Sequence, residues 1–189
     1  MRIALCNEVL ADRDFAAQCG YAAALGYDGL EVAPYTLADY PLAIPASARV
    51  AIRRAAADAG IAVTGLHWLL VKPAGLSITT ADAATRARTL AAMTTLIDLC
   101  AELGGRYLVH GSPAQRRIPA GETREVAWAR ARDAFAAAAT AAARAGVTYL
   151  VEPLPRDETD LVNTLDEARA MVRRGEIVDL KTAWGLTLV

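Results

Sequence analysis

Cysteine and histidine are scarce in this sequence. The three cysteines, Cys6, Cys19 and Cys100, are odd in number, and no two of them have Cys-x-x-Cys spacing. This argues against a framework of disulfides and predicts reduced, mostly buried thiols, as expected of a cytoplasmic protein. The two histidines, His67 and His110, are too few for a histidine-rich site that holds several metal ions.

The chain also has almost no net charge and no long apolar segment. Twenty basic residues nearly balance 21 acidic ones, which leaves a formal net charge of −1. The composition therefore gives no reason to expect a basic surface that binds nucleic acid or an anionic membrane. The apolar run at residues 3–6 is too short for an export signal, and no segment approaches the roughly 20 apolar residues that cross a bilayer. These absences predict a soluble, cytoplasmic protein with neither a nucleic acid nor a membrane as a partner.

Nucleotide-binding signatures are missing as well. No Gly-x-Gly-x-x-Gly follows the first predicted strand, and no Walker-type phosphate loop is present. These absences disfavour a Rossmann-type nucleotide-binding fold. At 189 residues, 54% of them hydrophobic, the chain is long enough for one domain, residues 1–189, with a substantial core.

What the sequence does contain is a repeated strand-and-helix unit. Glycines at regular intervals follow helical patterns, and all but the last also precede an apolar run: Gly26, Gly60, Gly104, Gly146 and Gly175. Strands are predicted at residues 2–6, 29–32, 61–66, 106–109 and 147–151. Helices are predicted after Asp12, at residues 47–59 and 82–103, along the stripe from Trp128 to Ala142, and after Thr164, which begins a capping box. Alternating units of this kind predict a parallel sheet covered by helices.

Nearly every predicted strand ends on a polar residue. These residues are Asn7, Glu31, His67, His110 and Glu152. Parallel strands place their carboxyl ends at one face, so we expect these side chains to converge on a shared cavity, as in a (β/α)8 TIM barrel. A complete barrel takes about 250 residues, and this chain has five to six βα units. A sixth strand is predicted at residues 175–180 or 184–189. We therefore expect an incomplete barrel whose open sheet edges allow self-association.

The residues around Glu152 carry a resemblance to a known family. The fifth predicted strand and the loop after it resemble the fifth-strand signature of the sugar phosphate isomerase/epimerase family, the xylose-isomerase-like TIM barrels. The matching residues are Val151-Glu152-Pro153-Leu154, Glu158 and Asn163-Thr164. Residues 65–70 and 110–113 resemble the third and fourth strands of that family. The resemblance covers essentially the whole chain but only about two-thirds of the family's usual length, which suggests C-terminal truncation.

The resemblance implies a metal-dependent sugar or sugar-phosphate isomerase or epimerase with a small-molecule sugar as substrate. It implies Mn²⁺ or Mg²⁺, with Glu152 as the strand-five ligand and the remaining ligands beyond Val189. Asp179 is a candidate for strand six. Glu158 corresponds to a position that holds substrate hydroxyl groups, and we expect His67, His110 and Glu31 to contribute to substrate binding.

The resemblance also implies the chemistry of the reaction. A hard cation that bridges the carbonyl and hydroxyl oxygens of a ketose stabilises the enediolate formed when a proton is lost. One carboxylate removes that proton and a second one returns it. Glu152 serves as the first, and no residue of this sequence is assigned as the second. We therefore expect the 189-residue chain alone to show no measurable isomerisation or epimerisation.

Other interpretations of the same residues stay open. Glu152 could form a salt bridge at a strand end, Glu31 could brace the loops, and the histidines could be hydrogen-bonded core residues. The chain could be a truncated barrel without catalytic activity. An endonuclease IV-like DNA-repair nuclease shares this fold, but the two histidines and the net charge of −1 argue against it.

Overall fold

A computed structural model of the chain describes residues 2–172 and the strand at residues 179–180. Six parallel strands form one sheet in which neighbours along the chain are neighbours in space. They are β1 Ala4–Cys6, β2 Gly29–Val32, β3 Ala62–Leu66, β4 Tyr107–His110, β5 Thr148–Val151 and β6 Asp179–Leu180. The sixth strand thus falls at the first of its two predicted positions; the second, residues 184–189, and the side chain of Asp179 lie outside the described part.

Helices connect the strands and cover one side of the sheet. They are α1 Phe15–Ala24, α2 Ala46–Asp58, α3 Ala83–Glu102, α4 Arg124–Ala145 and α5 Leu165–Val172. Short 3₁₀ turns, Asn7–Leu10 and Pro113–Arg116 among them, follow strands and shape the loops beyond them. This is the (β/α) barrel architecture predicted from the sequence, with six strands described against the eight of a complete barrel. In the described residues, no helix is both long and apolar enough to cross a membrane.

Two predicted helix starts have different outcomes. Asp12 does not cap α1: the 3₁₀ turn after β1 delays the helix, and Asp14 Oδ1 accepts a hydrogen bond of 2.8 Å from the Ala17 N–H. The predicted cap at Thr164 is confirmed, although the return bond from Glu167 goes to the residue before Thr164 and not to Thr164 itself. Thr164 Oγ1 accepts from the Glu167 N–H at 3.1 Å, and the Glu167 carboxylate accepts from the backbone N–H of Asn163 at 2.6 Å.

The core lies between the outer face of the sheet and the helices. Alternate strand residues such as Leu30, Leu66 and Leu108 are fully buried there, together with Phe135 and Leu96 from the helices. Because strand side chains alternate between faces, the residues between them point to the opposite, concave side. The same alternation that builds the core therefore supplies the lining of an inner cavity.

Candidate active site

A cavity of about 940 Å³ occupies the concave side of the sheet. Its lining includes four of the five residues predicted from the sequence to form the site, Glu31, His67, Glu152 and Glu158, and also Cys6, Glu8, Trp68, Tyr107, Gly111 and Ser112. These side chains come from β1 to β5 and the loops that follow them. The cavity is within the size range of small-molecule sites in proteins.

The wall formed by β1 to β3 carries a histidine between two carboxylates. His67 Nε2 lies 2.8 Å from Glu8 Oε2, and His67 Nδ1 lies 3.7 Å from Glu31 Oε1. Cys6 and Glu31 are paired in the register of adjacent parallel strands, so their side chains emerge on the same face. Glu8 was not predicted as a site residue; its position two residues beyond a strand end was the only available signal.

Tyr107, on β4, closes this wall. Its hydroxyl lies 3.2 Å from Thr64 Oγ1, and its single proton is shared between this oxygen and the Glu31 carboxylate, both of which can accept it. Burial raises the pKa of Tyr107, and the negative charge of Glu31 adds to the shift, so the phenol stays protonated as a donor. Gly65 makes room for the ring, because a Cβ there would fall 2.6 Å from Tyr107 ring carbons.

The opposite wall carries Glu152, the first residue after β5. The Glu152 N–H donates to the His110 carbonyl oxygen at 3.2 Å. Gly111 lies beneath the carboxylate: a Cβ at this position would be 2.7 Å from Glu152 Oε2. The absence of a side chain at residue 111 therefore gives the carboxylate its place in the cavity.

Arg116 supports this wall from behind and was missed by sequence reasoning. Its side chain is fully buried, and Nη1 donates to the Glu152 carbonyl oxygen at 2.9 Å. Burial lowers the pKa of Arg116 to about 10, while the charges of Glu152 and Glu158 act in the opposite direction. The guanidinium is thus positively charged at neutral pH and attracts both carboxylates. One arginine among many in a polar loop gave no sequence signal.

His110 does not reach the cavity, so the prediction that it would join the shared site is wrong. The strand β4 extends one residue further than predicted, which places His110 inside the strand and on its outer face. There it is fully buried, its Nδ1 lies 2.8 Å from the Tyr149 hydroxyl, and its ring packs edge-on against Phe135 at 4.9 Å between centroids. Burial, and secondly the charge of Arg116, lower the pKa of His110 well below its ordinary value.

Asn7 was also expected at the shared cavity, and that prediction is wrong: its side chain is buried in the scaffold and does not line the cavity. Its side chain is fully buried and accepts from the Ala33 N–H at 2.7 Å while donating to Gln18 and Thr36. These bonds tie the end of β1 to the loop after β2 and to α1. Trp68, by contrast, lines the cavity and adopts a φ of 50°, an unusual conformation for a bulky residue. Backbone outliers of this kind cluster at active sites and ligand-binding sites, where the surrounding structure holds the residue in a strained conformation.

Comparison with known proteins agrees with this geometry. Residues 19–180 match the family described as Xylose isomerase-like TIM barrel. The chain belongs to this family. A search of curated proteins finds no significant match to the whole sequence.

Several solved structures share the fold of this chain at low sequence identity. A 3-keto-D-glucoside 4-epimerase from E. coli is 20% identical with a TM-score of 0.76, and the match covers 96% of this chain and 67% of the epimerase. A D-psicose 3-epimerase from Clostridium cellulolyticum is 21% identical with a TM-score of 0.75, covering 96% and 62%. An AP endonuclease of family 2 from Brucella melitensis is 18% identical with a TM-score of 0.67, covering 96% and 66%. The chain therefore spans about two thirds of the length of these relatives.

Proposed function

We propose that this protein is a sugar isomerase or epimerase that removes a proton from the carbon beside the carbonyl group of a ketose. The observation that carries the proposal is the position of Glu152. Its carboxylate stands at the mouth of β5, in a cavity large enough for a monosaccharide, with a glycine beneath it and a buried guanidinium nearby. The epimerases among the structural relatives supply the substrate class.

The Glu152 wall fits the divalent metal that the family resemblance implies. Glu152 offers carboxylate oxygens, which are the donors that Mg²⁺ and Mn²⁺ prefer. Glu152 would be the first ligand. An ion held there would supply positive charge to an enediolate oxygen. One carboxylate provides only a small part of the roughly six ligands that such an ion takes, so we expect the described residues alone to hold it weakly.

The residues of the chain then have distinct parts in the reaction. Glu152 accepts the proton from the sugar carbon, and Arg116 keeps the neighbourhood of that carboxylate positively charged. Glu158, on the same wall, accepts hydrogen bonds from sugar hydroxyl groups. Trp68 offers an aromatic face at the cavity rim, a common platform for the apolar face of a sugar ring.

A nuclease function like that of the AP endonuclease relative is less well supported. The fold is shared, but a site with several metal ions built on histidines needs more than one of them in the cavity. His110 faces the helices, which leaves His67 as the one histidine that lines the cavity in the described residues. Phosphate recognition also has little support from a chain with a net charge of −1.

The test measures proton removal separately from product formation. A panel of ketoses is incubated with the protein in D₂O and excess Mg²⁺, and deuterium incorporation beside the carbonyl group is followed by NMR. We expect incorporation without formation of the epimer or the aldose, because exchange needs only Glu152 while inversion needs a second carboxylate. Glu152→Gln should reduce the exchange rate by about 100-fold or more, the usual contribution of a general base.

Glu125→Gln serves as the matched control, because Glu125 lies in the exposed first turn of α4, away from the cavity. It should exchange at the unaltered rate. Absence of exchange with every ketose, or exchange that survives Glu152→Gln, contradicts the proposal. The first result favours the alternative of a barrel without catalytic activity.

A further inference from the structure

Three side chains with different donor atoms meet on the wall formed by β1 to β3. The Cys6 sulfur, a Glu31 carboxylate oxygen and a His67 ring nitrogen all lie within 4.8 Å of one another. Each comes from a separate βα unit: Cys6 ends β1, Glu31 lies in β2, and His67 follows β3. No local sequence motif joins them, so only the parallel register of the strands brings them together.

The state of His67 is the second, independent observation. The residue is only 7% exposed, and its Nδ1 has no hydrogen-bond partner in the part of the chain that the structure describes. On the other side of the ring, Nε2 lies 2.8 Å from Glu8 Oε2. A carboxylate that accepts the Nε2–H fixes the tautomer with its lone pair on Nδ1, directed towards Glu31 and Cys6. Proteins orient metal-binding histidines by this arrangement.

We propose that Cys6, Glu31 and His67 bind one Zn²⁺ ion, at a site separate from the Mg²⁺ or Mn²⁺ position predicted at Glu152. A thiolate, an imidazole and a carboxylate together suit Zn²⁺, whereas Mg²⁺ and Mn²⁺ favour oxygen donors. Glu8 positions His67, and the hydrogen bond from Tyr107 positions Glu31.

The geometry needs only small adjustments. Bond lengths of about 2.0–2.3 Å place the ligand atoms of a tetrahedral zinc ion about 3.5 Å apart. His67 Nδ1 and Glu31 Oε1 are already 3.7 Å apart, and the widest separation in the cluster is below 4.8 Å. Side-chain movements of about 1 Å therefore bring the three ligand atoms to the distances that a tetrahedral zinc ion requires. With three protein ligands, the fourth position is open, and it faces the cavity because all three residues line it.

The proposal gives Glu31 and His67 a role that differs from direct contact with a sugar. The competing arrangement without metal is an imidazolium ion between the carboxylates of Glu8 and Glu31. In that arrangement Cys6 makes no contribution. Participation of the Cys6 thiolate therefore distinguishes the two.

The experiment uses Co²⁺ as a spectroscopic substitute for Zn²⁺. Co²⁺ added to the 189-residue protein should produce the thiolate-to-cobalt charge-transfer absorption, and stoichiometric Zn²⁺ should remove it. Cys6→Ser should abolish the band, while Cys19→Ala should retain it because Cys19 is buried in α1. Glu152→Gln should also retain it, which separates this site from the proposed catalytic function.

Affinity measurements extend the test to the other residues. His67→Gln and Glu31→Gln should weaken Zn²⁺ binding by at least about tenfold, and Glu8→Gln by about 10- to 100-fold, the range seen when a partner of a metal-bound histidine is lost. Absence of a charge-transfer band in the unaltered protein, or a band that survives Cys6→Ser, overturns the proposal. If circular dichroism shows that Cys6→Ser is unfolded, protection of Cys6 from alkylation by Zn²⁺ in the unaltered protein decides instead, and no protection overturns it.

Discussion

The buried imidazole of His110 makes the stability of the protein sensitive to mild acid. It lies between β4 and α4, bonded to the Tyr149 hydroxyl and packed on the edge of Phe135. Its Nε2 has no hydrogen-bond partner among the described residues. Burial disfavours a proton here, and the positive charge of Arg116 adds to the effect, which is why the pKa of His110 is lowered well below its ordinary value.

The sign and size of the effect follow from proton linkage. In the unfolded chain the histidine has a pKa of about 6.5. Below that pH the unfolded state therefore binds a proton that the folded state does not bind. The free energy of unfolding therefore falls as pH is lowered through about 6.5, by about 1.4 kcal/mol per pH unit. Between neutral pH and pH 5, this amounts to about 2 kcal/mol from His110 alone.

Urea unfolding followed by circular dichroism at pH 7.5 and pH 5 measures this loss. His110→Gln removes the titrating group and keeps a polar side chain near Tyr149, so its loss between the two pH values should be smaller by about 2 kcal/mol. The same pair of measurements on His67→Gln shows whether the other histidine contributes. Equal losses in the unaltered protein and in His110→Gln would refute the reasoning. So would an NMR titration in which His110 protonates in the folded protein near pH 6.5.

Three further predictions concern the site, a helix end and the sheet edge. Gly111→Ala should displace the Glu152 carboxylate, since the added Cβ would lie 2.7 Å from Oε2, and should lower the deuterium exchange rate by up to about 100-fold. Gly20→Ala is the control, because the space around Gly20 is open, and equal exchange rates in the two variants would contradict the prediction. Thr164→Ala should lower the free energy of unfolding by about 1 kcal/mol through loss of the cap, while Thr164→Ser retains it. In the described part of the sheet β1 pairs only with β2, so the 189-residue chain should self-associate at tens of micromolar, and a stable monomer in sedimentation would speak against this.

Local signals were enough to predict much of this protein. Apolar runs predicted the first five strands to within one or two residues, because the strand and helix periods are properties of short segments. Glu152 could be singled out for the same reason. A carboxylate that directly follows a buried strand and precedes a proline has no place in the core, so it must lie at the sheet's carboxyl edge.

The prediction for His110 was wrong because it depended on the register of a strand to within one residue. The end of β4 was predicted one residue too early, and in a strand one residue is the difference between the cavity and the helix layer. His110 therefore moved to the outer face, whereas Glu152, one residue past the end of β5, kept its predicted place. Sequence periodicity does not fix strand ends this closely, because hydrogen bonds to neighbouring strands set them.

The class of fold, the order of its elements and the strand that carries the main carboxylate could all be inferred from the amino-acid sequence. Which side chains share a space depends instead on tertiary packing. Arg116 behind Glu152 and the cluster of Cys6, Glu31 and His67 join residues from distant βα units. Their meeting depends on strand register and on the room left by small residues such as Gly65 and Gly111. Proximity of that kind arises from packing between elements, which no local pattern in a single sequence records.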